Sequence, residues 1–118
     1  MSRLVKLTDS QYEMLYDWLE THDIQLNRHT RNQFRDAVAI ARVIERMHPE
    51  FVALHSYQPR TGVARLIDNW QIFNARVLTK LNMGITRLDM QRLATGNEDA
   101  LESLLYGLMV ADYSLLMR

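Results

Sequence analysis

TGVARLIDNWQIFNARVLTKLN, residues 61–82, carries apolar side chains at Val63, Leu66, Ile67, Trp70, Phe73, Val77, Leu78 and Leu81. Steps of three and four wind them onto one stripe of a helix. Thr61 serves as N-cap, its hydroxyl accepting from a backbone N–H two or three residues on. Asn82, ahead of Met83 and Gly84, supplies the stop. At roughly 1.5 Å per residue the helix is about 30 Å long, the diameter of a small domain. Trp70 and Phe73 at its middle mark it as the central helix, with Leu66, Val77 and Leu81 completing its contribution to the core.

The flanking segments are helical too. Thr8 and Gln11 make a capping box that opens a helix running to about Glu20. Its core face is Tyr12, Leu15, Tyr16 and Leu19, with Trp18, a further core residue, at the edge. Residues 21–31 are polar and irregular, Ile24 and Leu26 acting as anchors, and a short helical turn is expected near Arg31–Arg35. Asp36 to His48 forms a second main helix with Val38, Ala41, Ile44 and Met47 inward, ended by Pro49. The connection to the central helix holds Phe51, Val52, Leu54 and Tyr57, too apolar to lie free of the core. Beyond Gly84, Thr86–Asp89 caps a short helix to Ala94. Asn97 then caps a last one carrying Leu101, Leu104, Leu105, Leu108, Met109 and Leu115. Glu98, Asp99 and Glu102 lie near its start, where the dipole favours acids. No segment alternates with period two, so the fold class is all-α: four main helices plus short connecting ones around the Trp70 helix.

The 118 residues make one domain, with a core over about 9–111, long enough to bury that core. Two prolines and four glycines are few for a loop-rich β domain. No apolar run reaches the ~20 residues a bilayer span needs. Without cysteine there is no disulfide scaffold and no thiolate chemistry, which fits a reducing compartment. Net charge is zero but unevenly spread: residues 25–92 carry +6, the two ends −6. Twelve of the fourteen bases are arginine, the side chain suited to bidentate carboxylate contacts. The asymmetry permits one basic face toward an acidic partner, although segregation along the chain does not guarantee segregation in space.

The order of elements resembles a calponin-homology (CH) domain. The residues carrying the likeness are YDWLETHDIQL, the basic stretch NRHTRNQFRDAVAIARVIERMHP, and His55, Tyr57 and Pro59 of HSYQP. In the long helix they are Asn69, Trp70, Asn74, Val77, Leu78, Leu81 and Asn82. Within that fold the chain is most similar to the divergent CH domains of the sperm flagellar protein 1 (CLAMP) family, over about Asp9–Ala111. It departs from their pattern at Thr30, where lysine is expected, and at Ala37, where glycine is usual. The resemblance implies a module that binds microtubules and, in a dimeric full-length protein, bundles them. The setting it implies is the cytoplasmic cytoskeleton, at a cilium, flagellum or its basal region. The domain would then be the N-terminal part of a longer protein whose C-terminal coiled coil supplies a homodimer.

Arg28, Arg31 and Arg35, at steps of three and four, share one face if their stretch is helical; Arg76 and Lys80 stand four apart on the central helix. Against acidic tubulin these five are the candidate contacts, Arg60 and Arg65 being weaker ones. Arginines so spaced also form intradomain pairs, the bland alternative. His22, His29, His48 and His55 lack the cysteine or carboxylate pattern of a metal site and are assigned structural roles. Trp18, Trp70, Tyr57 and Phe73 fall at core positions and form no platform for nucleic-acid bases. No phosphate loop, nucleophile elbow or HExxH is present, so neither an enzyme nor a cofactor is expected. The competing reading is a protein–protein adaptor or self-association domain using Tyr16, Trp18, Met109 and Met117 as an apolar surface. Actin binding ranks below it.

Overall fold

A computed structural model describes residues 1–54, 57–58 and 62–117. Among them are six α-helices and no strand: α1 (Asp9–Thr21), α2 (Arg28–Gln33), α3 (Ala37–Met47), α4 (Val63–Phe73), α5 (Arg87–Ala94) and α6 (Glu98–Leu116). A 3₁₀ turn, Pro49–Phe51, follows α3. The expected all-α fold is the one observed.

The caps explain why the helices start where they do. Thr8 and Gln11 form a reciprocal capping box on α1, as do Thr86 and Asp89 on α5; Asp36 caps α3 and Asn97 caps α6. The connecting helix α2 starts earlier than expected. Asn27 accepts from the Thr30 N–H while the Thr30 hydroxyl accepts from the Asn27 N–H, a capping box written with an unusual residue pair.

The long helix is regular only in its first half. From Asn74 to Leu78 it widens into a π turn and closes through a 3₁₀ turn, Thr79–Leu81, before Asn82 takes the left-handed conformation that stops it. The Asn74 side chain accepts from the Ile85 N–H at 2.9 Å and so turns toward the chain that follows, rather than along the stripe. A π turn takes more residues than an α turn, which rotates the apolar stripe beyond it. Leu66, Trp70, Phe73 and Val77 are buried as expected, and Leu81 is half-buried. At the other end Val63 is exposed, because Gly62, at φ 86°, turns the chain into the helix there. Thr61, His55, Pro59 and Arg60 lie outside the described residues.

Val63–Leu81 crosses a domain measuring 33 × 29 × 28 Å. It packs against α3 and α5, while α1 and α5 pack on α6. Trp70 and Phe73 meet edge to face at 5.8 Å, and Tyr57 reaches Phe73 at 6.4 Å, so the apolar connection is tucked inward as its composition requires. Trp18 is fully buried rather than marginal, whereas Tyr12 is half-buried and Tyr16 is 40% exposed. The reason is α6: Asp112 offers an acceptor for the Trp18 indole N–H at 2.9 Å, which lets the indole enter the core.

Candidate interaction face

The polar link between α1 and α3 becomes a surface because α2 forms in it. Its short helix carries Arg28 and Arg31, and Arg35 follows in the turn just beyond it. Arg28, His29, Arg31, Asn32 and Arg35 line an open depression of about 870 Å³ whose far wall is Thr95, Gly96 and Glu98, the turn from α5 into α6. Three guanidinium groups therefore share this surface with one carboxylate.

The three arginines are held differently. Arg28 is exposed. Arg35 is a structural brace: its Nε donates to the Ala94 carbonyl at 2.8 Å, and its own carbonyl accepts from the Trp70 indole at 2.9 Å. Its stem lies over Gly96, where an added Cβ would stand 3.4 Å from Arg35 Cδ. Arg31 Nη2 donates to the Tyr16 hydroxyl at 3.3 Å, and that hydroxyl donates to Glu102 Oε2 at 2.8 Å. The Arg31 Nε is buried without a hydrogen-bond partner, a situation that costs about 1–3 kcal/mol. Burial, followed by the Glu102 carboxylate, pushes the Tyr16 phenol above its ordinary range. Glu102, assigned from sequence to helix-end electrostatics, is instead buried and holds Tyr16.

Arg76 and Lys80 are exposed, on the π and 3₁₀ turns that end the long helix, and neither lines the depression. The fold thus brings three of the five candidate cations together. The residues named for an apolar surface fare less well. Trp18 and Met109 are buried, while Tyr16 and Met117 are exposed. Val110, Tyr113 and Leu116 of α6, which the sequence reading did not single out, are the exposed apolar side chains there.

Two polar centres escaped the sequence reading. Asp89, besides capping α5, binds the N-terminal segment: it accepts from the Ser2 hydroxyl and from the Arg3 N–H at 2.9 Å, the Leu4 N–H at 3.2 Å and the Thr86 N–H at 3.0 Å. Burial alone would push its carboxyl up, but those donors outweigh it and hold it at about 2. The second is Asp112, which takes the Trp18 indole on one oxygen and His48 Nε2 at 2.7 Å on the other, with His22 Nε2 at 3.6 Å. Burial opposes its ionisation, and Trp18, His48 and His22 together bring it below the ordinary carboxylate range. His22 and His48 terminate α1 and α3, so one carboxylate ties three helices together. Among the described residues no His, Cys, Asp and Glu group is arranged to hold a metal ion.

An all-α domain built on a Trp-bearing long helix, with a basic surface beside the first connecting helix, has the features of a CH-like domain. The family model described as "CH-like domain in sperm protein" matches residues 15–110, and the chain belongs to that family. Similar proteins include sperm flagellar protein 1 of Bos taurus, 35% identical over 83 residues, 68% of this chain and 34% of that protein. Sperm flagellar protein 1 of Mus musculus is 32% identical over 94 residues, 77% of this chain and 39% of that protein. The Homo sapiens protein of the same name is 34% identical over 83 residues, 68% and 34% respectively. The chain thus spans little more than a third of the length of these relatives.

Proposed function

We propose that this domain binds microtubules, within a flagellar or ciliary cytoskeletal protein, through the α2 surface. The observation that carries the reading is the gathering of Arg28, Arg31 and Arg35 in one open depression, in a chain whose relatives are named as sperm flagellar proteins. Arginines facing an acidic polymer steer encounter and fix register through guanidinium–carboxylate pairs. Arg76 and Lys80 provide a second, separate contact. The role is one of binding rather than catalysis. Bundling belongs to a dimeric full-length protein joined by a C-terminal coiled coil, and the location is the flagellar or ciliary cytoskeleton. The reading calls on neither nucleic acid nor membrane as a partner; separately, no helix among the described residues is long and apolar enough to cross a membrane.

Co-sedimentation with polymerised microtubules and, in parallel, with actin filaments tests this at low and physiological salt. Pelleting with microtubules alone, weakened by salt because exposed charges screen over about 8–10 Å, is expected. Arg28→Glu with Arg31→Glu should abolish it while helicity survives; Arg35 is spared because it braces the fold. Undiminished pelleting of that double variant would dismiss the α2 surface. The exposed side chains of α6 favour a second reading, self-association. Salt-insensitive dimerisation at low micromolar concentration, without microtubule pelleting, would establish it instead.

A further inference from the structure

Arg31 differs from Arg35 in what holds it. Arg35 rests on a backbone carbonyl, whereas Arg31 donates to a phenolic oxygen. That oxygen is oriented from behind: the Glu102 carboxylate, only 6% exposed on α6, accepts from the Tyr16 hydroxyl at 2.8 Å, leaving the lone pairs of the phenol for Arg31. We propose that Tyr16 and Glu102 are positioning residues which hold the Arg31 guanidinium in the α2 depression to receive the carboxylates of an acidic peptide segment. The inference rests on the reading of the α2 surface as the binding face.

The ligand class follows from spacing. Arg28 and Arg31 stand on α2 and Arg35 in the turn beyond its end, so the charge is spread along the depression rather than gathered where a single compact anion could take it all. An extended chain rises about 3.3 Å per residue, so carboxylates on alternate residues stand about 7 Å apart and can pair with successive arginines. Glu98 on the opposite wall adds repulsion that a small multivalent anion would feel in full, while a peptide can direct an amide past it. Arg31 meanwhile has donors to spare at its outer end: its Nε is buried, but the Tyr16 hydroxyl takes Nη2 over a long 3.3 Å and accounts for one of the four Nη–H groups.

Geometry and plain electrostatics predict opposite signs at Glu102. If charge alone mattered, removing a carboxylate behind the arginines would tighten binding of an acidic peptide. If Glu102 orients Tyr16, a substitution that abolishes its acceptor weakens binding despite the gained positive charge. The test is fluorescence anisotropy of a labelled decaglutamate peptide at low salt, with thermal unfolding of each variant alongside. Tyr16→Phe, which removes one hydroxyl from an exposed ring, should weaken binding about fivefold. Glu102→Leu should weaken it comparably, whereas Glu102→Gln, which keeps a carbonyl acceptor, should bind at least as well as the native chain. Native affinity in Tyr16→Phe, or tighter binding in Glu102→Leu, would overturn the proposal; should Glu102→Leu not fold, the Tyr16→Phe and Glu102→Gln pair decides. Parallel microtubule pelleting separates the two levels. A native chain that binds neither probe defeats the α2 reading and this inference together. One that pellets with microtubules but ignores decaglutamate overturns the peptide assignment alone.

Discussion

Asp89 offers the sharpest quantitative test of how the domain is held together. Its carboxylate is fully buried, yet it takes hydrogen bonds from Ser2, Arg3, Leu4 and Thr86, with Arg92 Nη1 3.7 Å away. The difference between the ordinary value of 3.8 and about 2 corresponds to roughly 2 kcal/mol of preference for the ionised form in the folded state. Because the folded value is the lower one, this stabilisation is complete at neutral pH. It fades as pH falls below 3.8 toward 2, with about 1 kcal/mol gone by pH 3. Asp89→Ala forfeits that term and leaves three backbone N–H groups to find water, for an expected loss of about 3 kcal/mol at pH 7. At about 4 °C per kcal/mol for a domain of this size, the melting temperature should drop by roughly 10 °C. Asp89→Asn should do little better, since its amide NH₂ would confront N–H donors. Urea unfolding of native and Asp89→Ala chains at pH 7 and pH 3 reads the difference directly. The gap should narrow by about 1 kcal/mol at the lower pH. A gap under about 1 kcal/mol at pH 7, or one of equal size at both pH values, would refute the reasoning.

Asp112 should behave in the same direction. Asp112→Ala leaves the Trp18 indole N–H buried without its acceptor and releases His48, so a loss of about 2–3 kcal/mol is expected by thermal unfolding, shrinking as pH falls below the ordinary carboxylate value of 3.8 toward the lower native one. At Gly96, φ 85° disfavours a side chain, while an alanine Cβ would meet the Arg35 stem at an ordinary contact distance, so Gly96→Ala should cost about 1–2 kcal/mol through backbone strain. A Gly96→Ala chain as stable as the native one on thermal unfolding would show that the left-handed turn between α5 and α6 carries no such strain.

Most of the fold is legible because its signals are local. The Thr8–Gln11 and Thr86–Asp89 boxes and the Asn97 cap each lie within four residues of the helix they start, and the three- and four-residue steps around Trp70 carry the core face directly. Failures come where a partner distant in sequence decides. Trp18 reads as a core residue at the margin of its helix stripe, but nothing near it reveals what satisfies its indole N–H; that acceptor, Asp112, is 94 residues away. Glu102 looked like a first-turn acid until Tyr16, 86 residues earlier, was seen to occupy it. The Ser2–Leu4 segment has no pattern of its own and is fixed by Asp89 across the domain. The basic surface is an intermediate case. Spacing alone is enough to group Arg28, Arg31 and Arg35, but it cannot reveal that Arg35 is spent on Ala94 or that Arg76 and Lys80 lie elsewhere.

The same buried acids bear on how the surface meets a partner. The chain is formally neutral, yet Asp89, Glu102 and Asp112 are all inside, while no lysine or arginine among the described residues is buried. Their partners are mostly neutral donors: the Ser2 and Tyr16 hydroxyls, backbone N–H groups and the Trp18 indole. Setting those three acids apart leaves the remaining groups at a formal +3. Far from the molecule the internal carboxylates still cancel that charge, so a zero net charge provides little long-range attraction. Within a screening length of about 8 Å the exposed arginines dominate what an approaching acidic surface feels. Encounter with an acidic partner should therefore be steered only over that last distance, so Arg28→Glu and Arg31→Glu should slow association and reduce its salt dependence as well as weaken the complex.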